Sequence, residues 1–146
     1  MNLDLVFEHL QNEGFRPSRD KNDDIYFKYQ GMTICVGSYA DDSEFIRVMI
    51  PNIWSIDSEQ EREWALRSAN DANTRLKAVK LFIHNRDDVH VSIEFFVQDT
   101  TAAIAVLHRC FSILYSAVNH FRECMQKEHD KLNDAGEAST DEASSD

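Results

Sequence analysis

The stretch from Ala102 to Met125, AAIAVLHRCFSILYSAVNHFRECM, constrains this chain more than any other. Apolar residues recur at Ile104, Leu107, Phe111, Leu114, Val118, Phe121 and Met125, in steps of three and four that line one face of a helix. A second stripe runs one position earlier through Ala103, Val106, Cys110, Ile113, Ala117 and Cys124, so the apolar arc is wider than one contact surface needs. Such a helix has to be covered on two sides. Either it touches both a sheet and another helix of its own chain, or the second stripe meets another subunit. A membrane span is not expected, because His108, Arg109, Ser112, Ser116, Asn119 and His120 interrupt the ~20-residue apolar run required.

A chain of 146 residues is long enough for one domain with its own core. That domain is expected to cover residues 1 to 132. The remainder, NDAGEASTDEASSD from Asn133 to Asp146, has almost nothing to bury and reads as a disordered acidic tail. It carries five acidic and no basic residues, which leaves about −6 of the net charge of −11 on the domain. Binding to a phosphate backbone needs clustered Lys and Arg, and here these are scattered among carboxylates, so nucleic acid is excluded as a partner. The start, MNLDLVFEHLQNEGF, has charges at Asp4 and Glu8 and lacks the apolar run of a signal peptide, which predicts a cytoplasmic protein. Cys110 and Cys124 lie about 21 Å apart along one helix, too far for a disulfide, and with Cys35 they read as free thiols.

The order of elements follows from local signals. Asn2 caps a first helix with Leu3, Val6, Phe7 and Leu10 on one face, ended by Gly14. Arg16 to Asp24 reads as a polar loop. Two strands, 25–29 and 32–36, joined by Gln30-Gly31, oppose Tyr29 with Met32, Phe27 with Ile34 and Ile25 with Val36, all on one side. After a loop at Ser38–Ser43, the alternation of Ile46, Val48 and Ile50 predicts a third strand, closed by Pro51. Ser58-Glu59-Gln60-Glu61 is a capping box opening a second helix whose buried side is Ala65, Ala69 and Ala72, between Trp64 and Leu76. Val79, Leu81 and Ile83 match Val89, Val91 and Ile93 if an odd loop such as Asn85-Arg86-Asp87 joins them. Asp99 or Thr100 then caps the final helix. These elements predict an α+β fold, a five-stranded antiparallel sheet with helices packed on one face, in the order α-β-β-β-α-β-β-α.

Chemistry-bearing motifs are scarce. The four glycines, Gly14, Gly31, Gly37 and Gly136, form no phosphate loop, and neither a serine elbow nor a cysteine-nucleophile motif is present. Asp20-Lys-Asn-Asp-Asp24 begins like a calcium loop but has Ile25 and Gly31 at the two diagnostic positions. His84, Asp87, Asp88 and His90 at a hairpin tip are the best metal-ligand cluster, though their spacing fits no structural zinc pattern. No metal or cofactor is expected, and no catalytic residue is assigned. Asn70 and Asn73 share a side of the second helix, where their amides could hold a ligand backbone or stop the helix. Phe82 and Phe96 are apolar where the alternation calls for polar residues, which marks them, with Ile113 of the second stripe, as candidate protein contacts.

Three stretches, IYFKYQGMTICV at 25–36, FIRVMIPNI at 45–53 and WALRSANDANTRLKAVKLFI at 64–83, together resemble the bacterial YbjN-like family, described as sensory transduction regulators. The most specific part is Ala69-Asn70-x-x-Asn73 running into the apolar strand after Lys77. The resemblance implies the fold of class I type III secretion chaperones, whose members are small, acidic and usually dimeric. It implies a protein-binding domain and supplies no catalytic residue. The expected function is therefore a non-enzymatic protein-interaction module, chaperone-like or regulatory and homodimeric, that binds a partner polypeptide through apolar surface. The alternative is a small-molecule or metal-binding sensor domain.

Overall fold

The computed structural model describes residues 1–142, with side chains through Asp134. The chain runs α1 (Leu3–Asn12), β1 (Ser18–Arg19), β2 (Ile25–Tyr29), β3 (Met32–Tyr39), β4 (Asp42–Ser55), α2 (Glu59–Arg75), β5 (Lys80–His84), β6 (Asp88–Phe96) and α3 (Thr100–Glu142). Every pairing is antiparallel, and the sheet order is β1-β2-β3-β4-β6-β5. The sheet has six strands where the sequence predicts five. The additional one, β1, lies in the segment expected to be a loop. It has no apolar alternation to announce it. It forms because the Asp20 carboxylate accepts the amides of Asn22 and Asp24 at 2.8 and 3.1 Å, closing a turn that lays Ser18–Arg19 beside Ile25–Tyr26.

Local chemistry sets most boundaries. Asn2 caps α1 by accepting from the Asp4 and Leu5 amides. Gly14, at φ +90°, ends it with the Phe15 amide reaching back to the Leu10 carbonyl and the Gly14 amide to that of Gln11, a Schellman arrangement. The Gln30-Gly31 turn has positive φ at both residues and yields the register Tyr29↔Met32, Phe27↔Ile34, Ile25↔Val36. The β5–β6 loop holds Asn85-Arg86-Asp87, so His84 pairs with Asp88 and Ile83 with Val89. Ser58 accepts from the Glu61 amide at 3.1 Å, while the Glu61 carboxylate takes the Asp57 amide at 2.7 Å, one residue short of the Ser58 amide a capping box would use. Asp99 caps α3 through the Ala102 amide at 2.8 Å.

Two expectations about β3 and β4 differ from what forms. The loop at Ser38–Ser43 is a tight turn, with Tyr39 paired to Asp42. Pro51 does not close β4, which continues to Ser55 through a bulge between Ile50 and Trp54. There Ile50 pairs with Val91 and Trp54 with Val89, so β4 gains two residues on β6, with Asn52 at φ +51°. Proline is tolerated because a bulge does not ask for its missing N–H.

The core lies between one sheet face and the helices. Ile25, Phe27, Ile34, Val36, Ile46, Val48, Leu81, Val89 and Val91 meet Val6 and Leu10 of α1, Ala65 and Ala72 of α2, and Leu107, Phe111, Leu114, Val118, Phe121 and Met125 of α3. The first stripe of α3 is thus the core of its own chain. Contrary to expectation, α3 is long and apolar enough to cross a membrane by length and composition. Its stripe from Leu107 to Met125, however, is wholly buried against the sheet, the state of a core helix. The tail expected from Asn133 overlaps α3 as far as Glu142, and residues 143–146 lie outside the described residues.

Candidate functional site

The second stripe of α3 divides. Ala103, Cys110 and Ala117 are buried within their own chain, Ile113 and Cys124 are half-buried, and Val106 is 38% exposed. Val106, Cys110 and Ile113 form one wall of an open groove of about 280 Å³ whose other side is Ile93 and Phe95 of β6. Lys77, Arg109 and Glu94 also line it, Glu94 being paired with Lys80 at 2.6 Å, and the two cations continue into an adjoining cleft with Arg75. Positive charge at this spot contrasts with a chain of net charge −11.

The groove exists because β5 starts late. Ala78 takes φ +64°, and the β5–β6 ladder begins only at Lys80↔Ser92. The end of β6, Ile93–Phe96, is therefore paired with β4 on one side and, among the described residues, has no strand on the other. An unpaired strand edge beside an apolar slot can accept an extended peptide: main-chain bonds along the edge, one side chain in the slot.

Farther along, the β5 edge is capped at Leu81. Asn73 of α2 accepts from the Leu81 amide at 2.8 Å and donates to the Leu81 carbonyl at 3.2 Å. Asn70 is exposed, and its carbonyl accepts from Thr74. The two amides thus do not act together.

Alternation puts Tyr26, Cys35, Arg47, Met49, Ser92 and Glu94 on the sheet face away from the helices. Phe96 is 73% exposed on this face, its ring 5.8 Å from Phe45, which lies 5.1 Å from Tyr39. Phe82 is half-buried there beside His90, with Lys80 over its ring.

Potential metal ligands fall elsewhere than the hairpin tip. His84 and His90 have ring centroids 5.0 Å apart, but Asp87 is bonded to Arg62 at 3.0 Å. Burial, with His84 and Arg47 nearby, lowers the pKa of His90, and its buried Nε2 has no hydrogen-bond partner. Among the described residues two groups bring three ligand atoms together: His9, Glu13 and His108, and Asp71, His120 and Cys124. Sequence reasoning missed both, since each joins two helices distant in the chain. The spacing of four between His120 and Cys124 was the available signal.

No family model matches the sequence, and no curated protein matches it. Solved structures do. An uncharacterized protein of Methanothermobacter thermautotrophicus superimposes with a TM-score of 0.63 at 15% identity, over 86% of this chain and 96% of that one. YbjN of E. coli, a candidate transcription regulator, superimposes with a TM-score of 0.62 at 12% identity, over 81% of this chain and 89% of that one. The chain has the YbjN fold. The Yersinia pestis type III secretion chaperone SycH, solved with a fragment of YscM2, covers 80% of this chain and 96% of its own at 12% identity, with a TM-score of 0.47, too loose to define a fold. On the YbjN fold of this chain, the free end of β6 and the α3 groove lie side by side.

Proposed function

We propose that this protein is a non-enzymatic interaction module, chaperone-like or regulatory, that takes up an extended segment of a partner polypeptide. The segment adds to β6 at Ile93–Phe96 and places an apolar side chain between Val106 and Ile113. Its acidic residues face Lys77 and Arg109. The observation that carries this reading is the coincidence of an unpaired strand end with an apolar groove where Lys77 and Arg109 stand beside a Glu94 already paired with Lys80. Groove residues supply affinity by desolvation, and the rim supplies orientation.

The test compares capture of cellular partners by the intact protein, by Ile113→Asp, and by Leu66→Asp at an exposed site outside the groove. Ile113→Asp should lose the partner while Leu66→Asp keeps it, and amide exchange at 93–96 should slow when the partner binds. Equal capture by the two variants would remove the proposal.

A homodimer is part of the reading. Val106 and Ile113 alone are too small for a stable interface of about 800 Å² per partner. The aromatic cluster of Phe96, Phe45 and Tyr39 offers a second apolar area for a symmetry mate. Light scattering should report twice the 16.9 kDa chain mass, and Phe96→Asp should return the single chain. A single-chain mass for the unaltered protein would exclude the dimer.

A further inference from the structure

Asp71 on α2 faces His120 and Cys124 on α3. The two α3 residues are four apart, so they project from the same side of the helix one turn from each other. Asp71 Oδ2 lies 2.7 Å from His120 Nε2, Cys124 Sγ lies 3.7 Å from the same nitrogen, and Sγ lies 3.9 Å from Oδ2. This is not a cysteine–histidine–aspartate relay. A relay uses the two ring nitrogens separately, one toward the nucleophile and one toward the carboxylate. Here the sulfur and the carboxylate both approach Nε2, so three donor atoms of different type converge on one point.

That arrangement matches a cation in size. Tetrahedral Zn²⁺ with Zn–S of ~2.3 Å and Zn–N and Zn–O of ~2.0–2.1 Å separates sulfur from its N and O neighbours by ~3.6 Å and N from O by ~3.3 Å. Both sulfur distances agree to within ~0.3 Å, and only the His120–Asp71 contact must open, by ~0.6 Å. The second oxygen of Asp71, Oδ1, is engaged by Arg75 Nε at 2.8 Å, which orients the carboxylate with Oδ2 toward His120 and Cys124. A thiolate and an imidazole together suit zinc and disfavour magnesium or calcium.

We propose that Asp71, His120 and Cys124 form a Zn²⁺ site that ties α2 to α3. Its fourth position opens on the cleft lined by Arg67, Ser68, Lys127, Glu128 and Lys131, where the Glu128 carboxylate is paired with Arg67 at 3.5 Å and Lys131 at 3.3 Å, and it takes water. Zn²⁺ takes Nε2 of neutral His120, whose ring hydrogen then sits on Nδ1, and the thiol proton of Cys124 leaves to solvent as the Zn–S bond forms. No change of oxidation state is involved. The site is separate from the α3 groove and goes beyond the partner-binding reading.

The test uses the full chain after chelator treatment, titrated with Co²⁺ as a spectroscopic stand-in and then with Zn²⁺ in competition. One equivalent of Co²⁺ should give a thiolate-to-cobalt charge-transfer absorbance with tetrahedral visible bands, and Zn²⁺ should displace it. Cys124→Ser should abolish the charge-transfer absorbance. Asp71→Asn should weaken Zn²⁺ by roughly tenfold or more, and it serves the same purpose if Cys124→Ser fails to fold. His9→Ala, at the other histidine group, should change nothing. Absence of the absorbance, or its persistence undiminished in Cys124→Ser, would overturn the proposal.

Discussion

The side-chain amide of Asn73 forms two hydrogen bonds to the backbone of Leu81, accepting from its N–H at 2.8 Å and donating to its carbonyl at 3.2 Å. One side chain at the end of α2 thereby does for Leu81 on the β5 edge what a residue of a further strand would do. Asn73→Ala leaves a part-buried donor and acceptor unpaired, for an expected loss of ~1–3 kcal/mol. Asn73→Asp keeps the acceptor and should fall between. Urea denaturation midpoints check both, and an unchanged midpoint for Asn73→Ala would mean that water replaces the amide.

Phe111 is wholly buried, with the rings of Phe15, Phe27, Tyr29 and His108 around it at centroid distances from 5.1 to 6.2 Å. Phe111→Ala should cost ~3–5 kcal/mol. Ile104, only half-buried on the same stripe, should cost less when shortened. Equilibrium unfolding of the two variants gives the comparison.

Acid should weaken the fold through His90. Burial first, then His84 and Arg47, hold its pKa below the ordinary value, and Asp88 opposes them only in part. Between the unfolded value of about 6.5 and the lower folded one, the unfolded chain binds the proton and the native state does not. Stability therefore falls as pH drops through that interval and levels off beneath it. His90→Gln should flatten this part of the stability curve, measured by denaturation at a series of pH values.

The three thiols should react in a definite order. Cys35 is 1% exposed and Cys110 6%, whereas Cys124 is half-buried beside a cleft. Burial pushes the Cys110 thiol up to about 11 and raises Cys35 and Cys124 as well, so access rather than acidity sets the order. In chelator-treated, metal-free protein a maleimide at neutral pH should label Cys124 first and the others only on unfolding. Peptide mass mapping over time would show this order.

What could be read from the residues was what short segments decide alone. The Tyr29–Met32 hairpin, the three-residue loop at Asn85–Asp87 and the caps at Asn2, Ser58 and Asp99 all depend on neighbours within a few positions. β1 was hidden because two residues carry no periodicity, and the β4 bulge because Pro51 signals a stop whenever no partner strand is in view. The groove depends on where β5 begins relative to β6, a matter of register. Asp71 meets His120 and Cys124 across 49 and 53 residues, beyond any local pattern.

The insertion at Pro51–Ile53 is even-numbered relative to β6, and this has a consequence for how the segment can change. Side chains switch sides with every residue, so a pair can be added or removed while the rest of the strand keeps its facing. Loss of a single residue would instead turn Trp54 from Phe121 toward the opposite side. Lengths that survive among descendants of this chain should therefore differ here by twos.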